Sequence, residues 1–450
     1  MGHLTRTRAR DRTGPAEYGE IKPNFALVAL PTAISIFTYH YVAAIVIVSI
    51  VLASFISDKN RIASLKPTWL CAILPAGALL IILRPNYPTP EIDVFFFLAV
   101  LAAIAQAIYR SDSRAGAILS LHDGVGLFLI VSVALWLVGF HTGVAYHFGK
   151  NIITGGDRIL FPITSTLAMA PTMAAAYMVA LPIIMIATRN CRIFRTVAFL
   201  SAMVVLIQSD RRSALFAVVF ITAIAIAAPL MFRRLAPWII GVALASPILI
   251  VAFPAASGLT SFLAGLMTPF QRTHEDITTL NSRSGIWTKS LEYYQVHIDF
   301  VHQMLGYGTY GQVTSGASSA YGSVFASLRS TWGLKSPHST VLQLLFDGGW
   351  ITAISFTSTL FCAAWVLARG VSPINLAGLA MLTAMSFVGA TENILGPHLT
   401  AIPFWMAAVI VTVALSRECP PPRVYGASVI DNTTTHDGAH EHRQCNREVS

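Results

Sequence analysis

The sequence predicts an all-α fold: a polytopic transmembrane helical bundle of about 12 helices, with one large outer loop between helices nine and ten. Three observations predict it. Of 450 residues, 55% are hydrophobic and only 11% charged, with mean hydropathy +0.64, against about 25% charged in a soluble chain. The apolar residues fall into runs close to the ~20 that one helical span needs. Lys and Arg recur between those runs rather than on one domain, as membrane topology distributes them. An ordinary globular enzyme and a disordered protein are excluded. So is a nucleic-acid binder, despite the net charge of +9.

Residues 1–24 form a cytoplasmic tail carrying Arg6, Arg8, Arg10, Arg12 and Lys22. No small-residue cleavage site follows a short apolar core, so the tail does not read as a signal peptide. Residues 25–254 hold nine spans. The run 25–56 would be about 48 Å long as one helix, against a hydrocarbon core of ~30 Å. It therefore reads as two helices turning near Thr38-Tyr39-His40-Tyr41. The following spans are expected at 68–83, 92–109, 123–141, 161–187, 196–208, 213–232 and 237–254. Residues 255–337 form the outer loop. Residues 338–416 hold the last three helices, one starting near His338 and ending at Arg369, then 375–391 and 399–415. Residues 417–450 form a cytoplasmic tail expected to be disordered. Alternation places twenty of the thirty Lys and Arg on inner segments, five on short outer loops and five on the long one, the bias expected of cytoplasmic loops.

Cys71, Cys191, Cys362, Cys419 and Cys445 show no CxxC spacing, so neither a zinc site nor a redox pair is indicated. His436, His440, His442 and Cys445 sit in a polar tail without a fold pattern and read as solvated. No cofactor and no metal is expected.

The informative residues are those that break the pattern. Arg211 and Arg212 lie in a very short outer turn, at a depth where charge is costly and tends to serve function. Paired guanidiniums grip an anion such as a diphosphate; the plainer reading is snorkelling, or pairing with Asp210. In the long loop, Trp287, Leu291, Tyr294, Ile298, Val301 and Leu305 are spaced as one amphipathic helix, with Asn281 or Ser282 as its cap and Arg283 beside its N-terminus. That end suits an anion; the plainer reading is a helix lying on the bilayer surface. The helix stops at Gly306-Tyr307-Gly308, and the Ser/Gly-rich stretch that follows, to about Ser330, is expected to be mobile. His338 stands where the loop enters the tenth helix, on the same side as the arginines, where a neutral imidazole takes a proton near neutral pH. Lys150 and Arg158 in another outer loop also suit phosphate. Glu392 and His398, in the last outer turn, are placed to close the site from the far side.

These residues resemble a family, the O-antigen ligase and polysaccharide polymerase superfamily of bacterial inner membranes. The segment from Ser209 to Leu215 resembles its Ser-Arg-x-Ala/Gly element, with Arg212 at the Arg position. Arg283 with Ile286-Trp287 resembles an Arg-x-x-Ile-Trp motif, and Leu305-Gly306-Tyr307-Gly308 a Leu-Gly-x-Gly. Pro337-His338-Ser339-Thr340 through Gly348-Gly349 resembles His-Asn-x-x-Leu-x-x-Leu-x-x-x-Gly. Ser339 stands where the pattern has Asn, and Arg211 where it has Ser. The ordered set covers residues 196–351.

The resemblance implies a GT-C-like, metal-independent, inverting glycosyltransferase of the bacterial inner membrane, with both termini cytoplasmic and the loop periplasmic. Its donor would be an undecaprenyl-diphosphate-linked oligosaccharide and its acceptor a saccharide or lipid A core. Other partners would be the lipid bilayer and a chain-length regulator; no nucleic acid is expected. His338, Arg212 and Arg283 would be catalytic, and Arg211, Trp287, Gly306, Gly308 and Arg158 would bind substrate. The products would be surface polysaccharide, O-antigen or exopolysaccharide. The competing class is a membrane transporter or flippase of lipid-linked sugars. Against it stand the late position of the large loop and the lack of both a two-half repeat and a Gly-x-x-x-Asp-Arg-x-Gly pattern at 57–66. A structural partner of a synthase would need no Arg/His cluster.

Overall fold

The structure is a computed structural model that describes residues 24–37, 65–66, 68–84, 91–111, 113–140, 154, 158–164, 167–188, 191–252, 283–322, 336–398 and 401–418. The second half of the 25–56 run, the caps Asn281 and Ser282, Lys150 and the tail after Glu418 lie outside them. The described chain is almost entirely helical. Six of its helices are long and apolar enough to cross a membrane, and five shorter ones are also apolar.

α1 spans Phe25–Phe37. A short turn, Trp69–Ala72, leads into α2, Ile73–Ile82, and α3 spans Glu91–Tyr109. These agree with the sequence reading to within a few residues. α4, Arg114–Leu137, starts nine residues before its expected beginning at 123. Ser113 caps it by accepting from Gly116 N at 3.1 Å, a strong start signal. Asp123, where the span was expected to begin, lies inside the helix because a neighbouring helix satisfies its charge. Arg195 donates to both Asp123 oxygens, at 3.1 and 3.3 Å, and Thr188 accepts from the same guanidinium. The His122 ring stacks on Tyr177, with centroids 4.2 Å apart.

α5, Met169–Ala187, starts eight residues later than expected. Pro171 sits in its first turn, where its missing N–H costs nothing; a start at 161 would have put it in the helix interior. α6 is Arg192–Ser209 and α7 is Arg212–Ala227. α7 ends five residues short of the expected 232. Ala228 precedes Pro229 and leaves the helical region (φ −141°, ψ 64°), as residues before proline do. Pro229 then opens α8, Pro229–Ala252. Arg233 lies inside α8 rather than in a loop, and it donates to Ser372 O at 2.9 Å and Val371 O at 3.3 Å.

The long-loop segment folds in pieces. α9 is Arg283–His297 and α10 is Phe300–Leu305. The single expected helix breaks because Asp299 caps α10, accepting from Val301 N at 3.0 Å and His302 N at 3.2 Å. The stripe is buried through Trp287, Leu291, Tyr294 and Ile298, but Val301 and Leu305 are exposed. The stretch expected to be mobile contains two ordered turns, α11 (Gly311–Thr314) and α12 (Ala317–Ala320), with Gln312, Ala317 and Tyr321 buried.

α13, Thr340–Arg369, is broken at Gly349, whose φ of +66° an L side chain rarely adopts. α14, Pro373–Thr391, is the central helix, packed mainly on α5 and α8. Its Ala377, Gly378, Ala380, Ala384 and Gly389 let neighbours approach closely; a Cβ on Gly378 would stand 3.0 Å from the Ile118 side chain. α15 spans Ile402–Leu415. Two short strands, β1 (Leu65–Lys66) and β2 (Arg417–Glu418), pair antiparallel, and Arg114 donates to Ser416 O. Lys66, Arg114 and Arg417, all expected on the inner side, thus stand together.

Candidate functional site

The opposite ends of the helices bring separate sequence motifs together. At the end of α6, Asp210 takes a left-handed conformation (φ +46°) and Arg211 an extended one, so the chain reverses in two residues and α7 begins at Arg212. Arg158 steadies this turn by donating to Asp210 O at 3.1 Å and pairing with its carboxylate at 3.4 Å. Arg158 is thus tied to Asp210 and reaches the site through it.

Glu392 follows the last residue of α14 in extended conformation. Its backbone is fixed to α13: Thr340 Oγ1 donates to Glu392 O at 3.0 Å and accepts from Leu395 N at 3.3 Å. Its carboxylate is the hub. Arg211 Nη1 lies 2.5 Å from Oε1, and Arg283 Nη2 donates to the same oxygen. His338 Nδ1 lies 3.4 Å from Oε2. The carboxylate is 6% exposed, Arg211 19%, Arg283 16% and His338 33%, so the acid forms the floor and the three nitrogenous side chains face outward. Burial alone would raise the Glu392 carboxyl. Arg211 and Arg283, with help from His338, outweigh it and hold the group well below the usual carboxylate range.

His338 is positioned by its neighbours. Its backbone is left-handed (φ +49°), and its N–H donates to Ser336 Oγ at 3.2 Å. Ser339 caps α13, accepting from Leu342 N at 3.4 Å, the task an Asn performs equally well. Trp287, 1% exposed, donates from Nε1 to Pro337 O at 3.1 Å. It therefore ties α9, which carries Arg283, to the residue before His338.

Gly306 and Gly308 sit in a turn docked on the break of α13. Tyr307 N donates to Phe346 O and Gly308 N to Asp347 O, each at 2.8 Å. A Cβ on Gly306 would stand 2.4 Å from the Asp347 backbone, and one on Gly308 2.3 Å from Arg84 O. Both glycines have positive φ. The structure places them in close packing against α13 and Arg84.

Arg212, next to Arg211, is half-buried. No hydrogen bond or ion pair to it is found among the described residues. Two arginines against one carboxylate leave the cluster net positive, with Arg212 the next residue in the chain. Among the described residues no group of three or more His, Cys, Asp or Glu could hold a metal ion.

The residue that sequence reasoning undervalued is Glu392. Its signal was available: a lone acid in a short turn between two apolar helices is costly unless paired, and its partners were already candidates.

No curated protein matches the chain. Residues 196–357 match the family model described as O-Antigen ligase. The match takes in the α6–α7 turn, Arg283, Trp287 and His338, and it supports membership of the chain in the O-antigen ligase family.

Proposed function

We propose that this membrane protein transfers a glycan from undecaprenyl diphosphate to a saccharide or lipid A core acceptor on the periplasmic side of the bacterial inner membrane. The observation that carries the reading is the convergence of Arg211, Arg283 and His338 on Glu392, with Arg212 adjacent. With Nδ1 turned to Glu392, the imidazole stands beside the arginines to take the proton of an acceptor hydroxyl. The acceptor oxygen attacks the anomeric carbon, its proton passes to His338, and the bond from that carbon to the diphosphate oxygen breaks. Direct attack inverts the anomeric centre. Undecaprenyl diphosphate leaves with added negative charge, which Arg212 and Arg283 hold as it develops. No nucleotide or metal is required by this scheme, because the diphosphate is already a competent leaving group once neutralised.

The test is to incubate the purified protein with undecaprenyl-diphosphate oligosaccharide and candidate acceptors, without metal or nucleotide. Lengthened glycans with released undecaprenyl diphosphate assign a polymerase. Modified lipid A core assigns a ligase. No release, with movement of the lipid-linked sugar across proteoliposomes, would replace the enzyme by a flippase.

A further inference from the structure

A second buried acid lies outside the Glu392 cluster. Asp347, in the second turn of α13, is fully buried on the N-terminal side of the break at Gly349. The residues after that break, 350–369, already cover about 30 Å as a helix. The Asp347 carbonyl accepts from Gly308 N, and Gly308 abuts Arg84 at the outer end of α2.

Its carboxylate has a one-sided set of partners. Oδ1 accepts from Gly311 N at 2.7 Å and from Gln343 Nε2 at 2.8 Å. Gln343 Nε2 also donates to Gln312 Oε1 at 2.5 Å. Among the described residues Asp347 Oδ2 and Gln343 Oε1 are buried with no partner. Among the described residues no cation compensates. On the elements packed against α13, Arg84 binds the Leu305 carbonyl, Arg233 binds carbonyls at the far end of α13, and Arg283 binds Glu392. His302 pairs with Asp299. Lys289, Glu292 and His297 on α9 and Arg234 on α8 are exposed. α11, α14 and α15 carry no charged residue. Among the described residues a titratable neighbour is the buried phenol of Tyr321.

A bare carboxylate here would be a buried charge without a counter-charge, far costlier than the neutral acid. Both orphan atoms are acceptors, so the missing group is a donor. We propose that Asp347 holds a proton in the folded protein, and that this neutral acid latches the 306–312 segment onto α13. The latch fixes α9 to α11 against the helix that begins after His338. Asp347 is therefore a positioning residue. That last consequence rests on the proposed function; the proton does not.

The experiment compares infrared spectra of the full-length protein in membranes at neutral pH, wild type minus Asp347→Asn. The expected difference is the C=O stretch of a protonated carboxyl, present in wild type, shifted in D2O and absent from the variant. A difference made only of ionised-carboxylate bands overturns the proposal. Melting temperatures give a second reading. Asn keeps the acceptor toward Gly311 and Gln343 and puts an amide donor at the Oδ2 position, so Asp347→Asn should melt as wild type does. Asp347→Ala should melt several degrees lower. Equal losses in both would mean that the charge is needed and refute the proton; no loss in Asp347→Ala would refute the latch. Neither readout requires glycan transfer, so failure here is separable from failure of the functional reading.

Discussion

Replacing Glu392 by Gln keeps size and shape and removes only the charge. Two guanidiniums then face a neutral amide. With charge centres ~4 Å apart and an effective dielectric of about 20, each pair carries roughly 4 kcal/mol of gross attraction. Arg211 and Arg283 are 19% and 16% exposed, so water recovers part of that. Breaking a buried pair from one side costs about 3–5 kcal/mol, and the expected net loss is about 2–4 kcal/mol. The chemistry suffers separately, because the amide carries no negative charge beside His338. A general base contributes about 10²–10⁴-fold, and the expected fall in single-turnover transfer is at least about 10²-fold, at the lower end of that range. The assays are a melting curve and a single-turnover reaction with lipid-linked oligosaccharide. Acid titration supplies a further check. The folded Glu392 carboxyl lies below its ordinary value of 4.5, so its stabilisation is fully present above that pH and is lost as pH falls toward the folded value. Glu392→Gln should remove this acid limb. Wild-type melting and transfer within twofold of wild type would refute the hub.

Arg212→Lys and Arg283→Lys keep charge but lose the two-pronged geometry; transfer should fall about 10²–10³-fold, with membrane insertion unchanged by fractionation. Trp287→Phe keeps most of the buried ring and loses the bond to Pro337; kcat should fall about tenfold, as an approximately 1.4 kcal/mol loss of positioning implies, with KM near wild type. Gly349→Ala must adopt φ +66° and bring a Cβ within 2.2 Å of the Met304 carbonyl carbon; it should lose more than about 1–3 kcal/mol of stability, read by thermal melting. Asp123→Ala leaves Arg195, which is 3% exposed, without its counter-charge; it should lose about 3–5 kcal/mol, with partial recovery when Arg195 is also changed to Leu.

Much of the bundle was legible because apolar runs and basic flanks are averages over many residues. The misplaced boundaries have local causes. α4 starts early because Arg195, 72 positions away, accommodates Asp123. α5 starts late because Pro171 tolerates only a first turn. α7 stops at Ala228 because Pro229 follows. The amphipathic stripe of the long loop was read correctly as far as Ile298, where the Asp299 cap starts a second helix. At the site, the cations and His338 stood out because charge beside lipid is expensive. Glu392 did not stand out equally, since its role depends on three partners 54, 109 and 181 positions away, and sequence spacing says nothing of such convergence. Gly306 and Gly308 have positive φ and close backbone neighbours, which require glycine for packing alone.

The central claim, that the Arg211, Arg212, Arg283, His338 and Glu392 cluster is where the lipid diphosphate is held, is tested most directly by photo-crosslinking. A photoactivatable undecaprenyl diphosphate, with the reactive group next to the diphosphate, would be bound to the protein in membranes and the adducts mapped. The expected adducts fall in the α6–α7 turn, around Arg283 and around His338, and they fade in Arg212→Lys and with excess unlabelled undecaprenyl diphosphate. Competable adducts confined to other helices, with this cluster unlabelled, would contradict the account.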